Sequence, residues 1–586
     1  MEQKNKLKRA KRIKNILLII AAIFFTGTIY IKRNYNLAGY EQIILSLQTG
    51  LEGTGLTVIK DIVFKNMIIY PGILFLLMFP YIILAKIIKF NLKENESDKD
   101  ELNKKMYKLN KNYIYIAIIF LFISIYVTLS ALQFNKQFLE TTLGKETKIY
   151  DERYVNPNRL KIELSGKNKK GKEKKEQKDK EQNNNNENEN KNNEENKESK
   201  EEKEPKQKNL IFIVAESLES SAFTKDSGGK SDIEIMPELE KIAKENINFS
   251  WTDKLGGFKM IPGATLTTGA LATFNTGVSP MINFGEFYKK PTEYMPGALG
   301  IGEILKRDGY NNSFILGSDA NYGARRLFFE THGIDEIVDL YGSINRGYLP
   351  EGYNDNFWGF EDHHLFRIAK EEITKKSKED KPFFTTILTV DTHFPDGNLP
   401  KDYRRQYEDK YIDVYRNQSR MIGEFVDWVK NQDFYKDTVI VIVGDHLTMK
   451  AGYFGSTDTR YVFNTIINSE KQKMENLEKY TKNRKFVTSD LTPTILSAIG
   501  YNIDGDRYGM GTNLFSDKKT YTEEIGYDAY VNELGKFSSY YNIHINKKTD
   551  KNDINQVKID DDKFDDKINN VFEKKDQETI FNEDLK

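Results

Sequence analysis

Two apolar runs end on groups that bind cations. Leu210-Ile-Phe-Ile-Val-Ala215 stops at Glu216-Ser217, and Val439-Ile-Val-Ile-Val443 stops at Gly444-Asp445-His446. A carboxylate from the first and a carboxylate with an imidazole from the second make a donor set suited to a divalent metal. Taken alone, Glu216-Ser217 reads as well as a helix start. The Asp-His pair is harder to explain by packing, and Gly444 before it suggests a sharp backbone turn. A third run, 383–390, ends in Asp391-Thr392-His393-Phe394-Pro395. It brings His393 to the same kind of address, as a proton donor to a leaving oxygen or as a phosphate contact.

Between these runs stands a threonine-rich segment, Gly263-Ala-Thr265-Leu-Thr267-Thr268-Gly269, continuing to Gly277. Its hydroxyls sit at a loop-to-helix transition, where unpaired backbone N–H groups and the helix dipole attract anions such as phosphate. A threonine hydroxyl becomes a nucleophile when a cation stabilises its deprotonated form. Thr265, Thr267 and Thr268 also suit helix caps, and on residue type alone both readings stand. His332, His363, His364 and His544 have no comparable placement and read as surface or capping residues.

These groups need a scaffold that gathers strand ends. From 209 to about 541, apolar runs at 210–215, 313–316, 383–390, 439–443 and 461–467 alternate with helical patterns. The helical stretches are 232–246, 267–275, 298–308, 361–377, 410–431 and 490–499. That alternation predicts an α/β fold, a mostly parallel sheet flanked by helices on both faces. Open sheets of this kind place their sites at the carboxyl ends of the strands.

The remainder of the 586-residue chain has a different character. Apolar stretches at 16–31, 67–85 and 113–132 predict three transmembrane helices. Lysines and arginines before the first, and lysines between the second and third, put those flanks in the cytoplasm by the positive-inside rule. The chain after about 133 is then expected on the outer face of the inner membrane. Residues 167–209 are nearly all Lys, Glu, Asn, Gln, Asp and Gly, a composition that cannot bury a core and predicts a charged tether. The expected division is a membrane anchor over 1–135, a juxtamembrane segment and linker over 136–208, a catalytic domain over 209–541 and a charged tail over 542–586. Lys plus Arg and Asp plus Glu each number 87, so no global basic field favours nucleic acid, and none is expected as a partner. The absence of cysteine excludes disulfides, thiolate metal sites and a cysteine nucleophile.

In order along the chain stand I-V-A-E-S at 213–217, M-P-E-L-E-K-I-A at 236–243 and T-T-G-A-L-A-T-F-N-T-G at 267–277. S-F-I-L-G-S-D at 313–319, T-H-F-P at 392–395 and G-D-H at 444–446 follow, then D-L-T-P-T-I-L at 490–496 and G-D-R-Y-G-M-G-T-N-L-F-S at 505–516. This series resembles the lipoteichoic acid synthase-like and membrane phosphoglycerol transferase branch of the alkaline phosphatase and sulfatase superfamily. The resemblance implies an alkaline phosphatase-like fold with Thr267, ten residues before Gly277, as nucleophile. It implies one divalent cation on Glu216, Thr267, Asp445 and His446. Three oxygens and one imidazole fit Mn²⁺, Mg²⁺ or Zn²⁺, and the resemblance favours Mn²⁺. His393 would contact the substrate phosphate. Arg325, eight residues before Gly333, matches an arginine that binds the phosphoglycerol group, but the tryptophan usual two positions earlier is Gly323. The implied donor is phosphatidylglycerol and the implied acceptor a glycan or a glycerol phosphate polymer. The 505–516 motif leans toward glucan-modifying transferases.

Four other readings compete with this one. A formylglycine sulfatase needs Cys or Ser followed by Pro-x-Arg, which is absent, and a two-zinc phosphatase needs more placed histidines. Phosphoethanolamine transferases share the fold but carry disulfides. A non-catalytic membrane-anchored sensor would leave the convergence of three strand ends unexplained.

Overall fold

The computed structural model describes residues 2–34, 75, 78–88, 98–131, 146–147, 149–157, 159–165, 207–281, 292–353, 358–450 and 453–547. Most of the expected tether and of the charged tail lie outside these residues.

A seven-stranded sheet organises the domain. Its strands are β1 (Asn209–Ala215), β2 (Gly257–Phe258), β3 (Asn311–Leu316), β4 (Glu336–Val338), β5 (Phe383–Leu388), β6 (Thr438–Gly444) and β7 (Val462–Ile467). They lie in the order β2-β7-β6-β1-β5-β3-β4. The pairs β6-β1, β1-β5, β5-β3 and β3-β4 are parallel, whereas β7 runs antiparallel to β6 and β2 antiparallel to β7. The sheet is therefore mixed, where the apolar runs predict a mostly parallel one. A strand buried on both faces has the same residue pattern in either direction, so the reversal at β7 leaves no mark in the sequence.

Every residue of β1 and β6 is buried, which is why these strands read as unbroken apolar runs. Alternate side chains face opposite layers. Leu210, Phe212 and Val214 enter one core with Val439, Val441 and Val443; Ile211, Ile213 and Ala215 enter the other with Ile440 and Ile442. Each large buried side chain contributes about 1.5–3 kcal/mol before chain entropy is charged. Against the second core pack α1 (Pro237–Glu245), α5 (Asp362–Lys376) and α6 (Lys410–Lys430). Against the first pack α2 (Thr267–Thr276), α3 (Ile301–Arg307), α4 (Arg325–Thr331) and α7 (Leu491–Ala498).

The domain draws on chain from both sides of its expected limits. Tyr150, Val155, Ile162 and Leu164 are buried in the first core, and Ile162–Leu164 pairs antiparallel with Tyr501–Ile503. At the other end Tyr541 and Ile545 join the same core. These short apolar stretches sit among charged residues, so composition alone masks them.

Nearer the amino terminus, the first apolar run lies within helix Glu2–Asn34, and residues 113–131 of the third within helix Asp98–Ala131. The second is helical over 78–88 and otherwise lies mostly outside the described residues. Among the described residues, no helix is long and apolar enough to cross a membrane.

Candidate active site and cation centre

The central position of β1 decides the geometry. Ala215 is level with Gly444 and Val214 with Leu388, so the chain leaves β1, β6 and β5 at one height along one edge. Glu216 emerges in the middle, Asp445-His446 on one side, and Thr389 to His393 on the other. Gly444 is explained by close approach: a Cβ there would stand 1.9 Å from the Leu218 carbonyl oxygen, so only glycine lets the β6 end lie against the turn after β1. Its role is contact with that carbonyl, where the sequence suggested a turn.

Glu216, Asp445 and His446 are buried, and one ligand atom from each lies within 4.8 Å of the others. Asp445 Oδ1 accepts from the backbone N–H of Ser217 at 2.8 Å and of His446 at 2.7 Å. Its other oxygen, Oδ2, is buried without a hydrogen-bond partner. An unpaired carboxylate oxygen is costly to bury unless something else completes it. Burial, then the nearby Glu216 charge, pushes the Asp445 carboxyl up to about 7. Burial opposes charge on His446 too, but Asp445 and Glu216 outweigh it and raise its pKa. His446 Nδ1 lies 2.9 Å from the Leu447 carbonyl, so Nδ1 carries the proton and Nε2 is left as a ligand atom. Ser217 stands at φ 53°, unusual for a residue with a side chain, and its hydroxyl donates to Glu216 Oε1 at 2.7 Å. Crowded acids, an orphan oxygen and a correctly turned imidazole together fit a divalent cation.

Thr267 is the first residue of α2, and it leans over this group. Its Oγ1 lies 3.3 Å from Glu216 Oε2 and 3.5 Å from His446 Nε2. Thr268 faces elsewhere: its Oγ1 is 2.7 Å from the point where a Cβ on Gly323 would stand. Thr265 makes no hydrogen bond to Glu216, Asp445 or His446 among the described residues. Of the three threonines, Thr267 alone meets the candidate ligands.

His393 enters from the β5 side. Its ring lies 4.3 Å from Trp358 between centroids, and Nδ1 is 2.7 Å from the Phe394 carbonyl, so Nδ1–H donates there and Nε2 keeps its lone pair. Burial pushes its pKa down to about 4, which makes the ring neutral at neutral pH. A neutral ring offers Nε2 as an acceptor, whereas the donor role expected from the sequence requires a proton gained during the reaction. Arg325 opens α4 beyond β3, follows two left-handed residues, Gly323 and Ala324, and is buried. Its Nε donates to the Tyr322 carbonyl at 2.9 Å and one Nη to the Asp319 carbonyl at 2.8 Å. The guanidinium lies 5.4 Å over the Tyr322 ring, which is 5.6 Å from Trp358. The aromatic wall on this side is thus Tyr322 and Trp358, with glycine at 323.

Several residues that support the site are not evident from the sequence. Glu219 is buried and paired with Arg460, whose Nε donates at 2.8 Å, and it also accepts from the Thr448 N–H at 3.2 Å. Arg460 donates in turn to the Thr448 carbonyl at 3.1 Å, so this pair ties the turn after β1 to the loop after His446. The i+3 spacing of Glu219 from Glu216 suggests only a helix start, and nothing in the sequence marks Arg460. His332, expected at the surface or in a cap, is the C-cap of α4; it is 1% exposed, and its ring bridges Glu303 Oε2 and the Tyr294 carbonyl, both at 2.9 Å.

A layered sheet with acids, imidazoles and a helix-borne hydroxyl gathered at its strand ends defines an alkaline phosphatase-like α/β protein. The chain belongs to the sulfatase family, whose model matches residues 208–501. It is 30% identical over 322 residues to phosphoglycerol transferase I of Escherichia coli (strain 55989 / EAEC), an alignment covering 53% of this chain and 39% of that protein. Phosphoglycerol transferase I of Shigella boydii serotype 18 (strain CDC 3083-94 / BS512) matches to the same extent. The chain thus spans about two fifths of the length of these curated relatives. Among solved structures, a protein in the alkaline phosphatase superfamily from Vibrio parahaemolyticus matches with 24% identity and a TM-score of 0.41, over 54% of this chain and 72% of that one. Lipoteichoic acid synthase LtaP from Listeria monocytogenes matches with 18% identity and a TM-score of 0.42, over 54% and 78%.

Proposed function

We propose that the protein is a membrane-anchored phosphotransferase that moves glycerol phosphate from phosphatidylglycerol to an extracytoplasmic glycan or glycerol phosphate acceptor. The observation that carries this reading is Thr267 Oγ1 lying 3.3 Å from Glu216 Oε2 and 3.5 Å from His446 Nε2, beside the unpaired oxygen of Asp445. The name of the Escherichia coli relative supports phosphoglycerol as the group transferred, and the apolar runs of the amino-terminal third support an inner-membrane anchor with the domain outside. A divalent cation, Mn²⁺ by preference, held by Glu216, Asp445, His446 and the Thr267 oxygen would stabilise the deprotonated hydroxyl and offset charge on the phosphoryl oxygens.

The Thr267 oxygen attacks phosphorus, the bond from phosphorus to the diacylglycerol oxygen breaks, and glycerol phosphate stays on Thr267 as a phosphodiester. Arg325 holds the anionic group by charge and hydrogen bonding. His393 Nε2, neutral at rest, takes the proton that the Thr267 hydroxyl gives up and passes it to the departing diacylglycerol oxygen. In the second half-reaction an acceptor hydroxyl gives its proton to His393 Nε2 and attacks phosphorus, and the Thr267 oxygen leaves and takes that proton. His393 is thus neutral before and after each half-reaction, and the sum is phosphatidylglycerol plus acceptor giving diacylglycerol plus phosphoglycerol-acceptor. The neutral resting state of His393 suits the second half-reaction. The test is release of diacylglycerol from labelled phosphatidylglycerol by the purified full chain. Release that requires Mn²⁺, and that goes beyond one diacylglycerol per protein only with an acceptor, is expected; no release from intact, Mn²⁺-loaded protein contradicts the proposal.

A further inference from the structure

The richest polar network outside the candidate ligands lies on α6, on the face of the sheet opposite α2. Tyr411, Tyr415 and Gln418 are spaced i, i+4, i+7 and so share one helix face. All three are buried. Their neighbours on the buried side are largely apolar, including Val414, Ile422, Phe425 and Val426. Buried polar groups persist only where they are hydrogen-bonded, and these three direct their bonds to the same three strand ends that carry the site.

Tyr411 donates its hydroxyl proton to the Thr392 carbonyl at 2.8 Å. With that proton committed, its oxygen accepts from Thr448 Oγ1, also at 2.8 Å. Tyr415 donates to the Ser217 carbonyl at 2.7 Å. Gln418 Nε2 donates to Thr392 Oγ1 at 2.8 Å, with Thr389 Oγ1 and the Glu216 carbonyl each at 3.3 Å. Thr392 passes the link on, its hydroxyl donating to the Glu216 carbonyl. Every target is Glu216 itself or lies close in sequence to Glu216, His393 or His446. Gln418 Oε1 is meanwhile buried with no partner. An apolar side chain of similar length would fill the space without an orphan oxygen, so packing alone does not account for glutamine here.

We propose that α6 is the positioning helix of the site: Tyr411, Tyr415 and Gln418 fix the ends of β1, β5 and β6 relative to one another, so that Glu216, Asp445 and His446 are held at cation-binding separation with His393 aimed at the same point. This rests on the cation reading given under Proposed function. Thr267 arrives from α2 on one face, and the other groups are held from α6 on the other. All three are positioning residues that act through the backbone of the loops they hold.

The test is titration of Mn²⁺ into the purified full chain in detergent, with free Mn²⁺ read by electron paramagnetic resonance and thermal midpoints measured in parallel. Gln418→Met is expected to weaken Mn²⁺ binding by about tenfold, the low end of what supporting partners of metal ligands contribute. Tyr411→Phe and Tyr415→Phe, each lacking one oxygen, are expected to weaken it several-fold. The control is Tyr501→Phe, which removes a buried hydroxyl bonded at 2.7 Å to Asp308, and it is expected to leave Mn²⁺ affinity unchanged. Variants that bind Mn²⁺ within twofold of the parent, with thermal midpoints lowered as in the control, overturn the proposal. If Gln418→Met does not fold, the two phenylalanine variants decide it by the same criterion. A parent chain that binds no Mn²⁺ overturns the cation reading and this proposal with it, whereas a binding parent with unaffected variants overturns this proposal alone.

Discussion

The ends of β6 and β1 and the ends of β5 and β3 lie along one sheet edge but are built on opposite principles. The first pair supplies Asp445, His446 and Glu216, buried together, with Asp445 Oδ2 lacking a hydrogen bond and lying 3.4 Å from His446 Nε2. Their charges work against one another: burial and Glu216 raise the Asp445 carboxyl, and both acids raise His446. The second pair supplies Arg325 and a neutral His393, set among Tyr322 and Trp358. Excess negative charge on one side and a buried guanidinium on the other divide this edge into a half that suits a cation and a half that suits an anion. Thr267 belongs to neither strand pair; it reaches the cation side from α2. Substitutions in the two halves should therefore fail differently, and that contrast can be broken.

The largest effect is expected from Thr267→Ala, which should reduce phosphoglycerol transfer by about 10⁴-fold or more, as loss of a nucleophile does. Diacylglycerol release measures it, and near-parental activity would remove the nucleophile assignment. Next, Asp445→Ala should weaken Mn²⁺ binding by at least about a hundredfold, since it removes a charged ligand and unseats two backbone N–H groups. Calorimetric Mn²⁺ titration reads this directly. On the other side, His393→Gln should lower kcat by about 10²–10⁴-fold, the usual contribution of a proton-transfer group, with Mn²⁺ affinity unchanged. If His393→Gln abolished cation binding, the division into halves would be mistaken. Arg325→Lys should raise the KM for phosphatidylglycerol by about tenfold with a smaller change in kcat, because lysine lacks the planar fork that now grips two carbonyls.

The smallest effect concerns pH. Burial holds His393 near 4, below its ordinary value of about 6.5. Protons therefore bind the unfolded chain first, and the stability due to the neutral ring is present above about 6.5 and lost as pH falls toward 4. In cation-free protein, denaturant melts of His393→Gln should show a shallower decline over that window than the parent. Parallel declines would mean that the ring titrates normally.

How much of this was legible follows from what a sequence encodes locally. The runs at 210–215 and 439–443 match β1 and β6 to within a residue at each end, because strands buried on both faces show unbroken apolar character. Glu216, Asp445, His446 and His393 could be nominated because residues that follow adjacent parallel strands are brought together by the fold itself. The strands Gly257–Phe258 and Glu336–Val338 are too short to carry a period, and α4 begins amid glycine and arginine. Tyr411, Tyr415 and Gln418 sit at a spacing that any amphipathic helix shows, and only the partners of their polar tips separate them from ordinary core. Gly444 was visible as a glycine, but its cause, the Leu218 carbonyl, comes from another strand end.

One measurement bears most directly on the central assignment. The full chain, loaded with Mn²⁺ and phosphatidylglycerol but given no acceptor, should accumulate a glycerol phosphate adduct that peptide mass spectrometry places on Thr267, and that disappears when acceptor is added. Turnover with no adduct on the 263–277 segment, or an adduct on Thr265 or Thr268 that persists in Thr267→Ala, would contradict it.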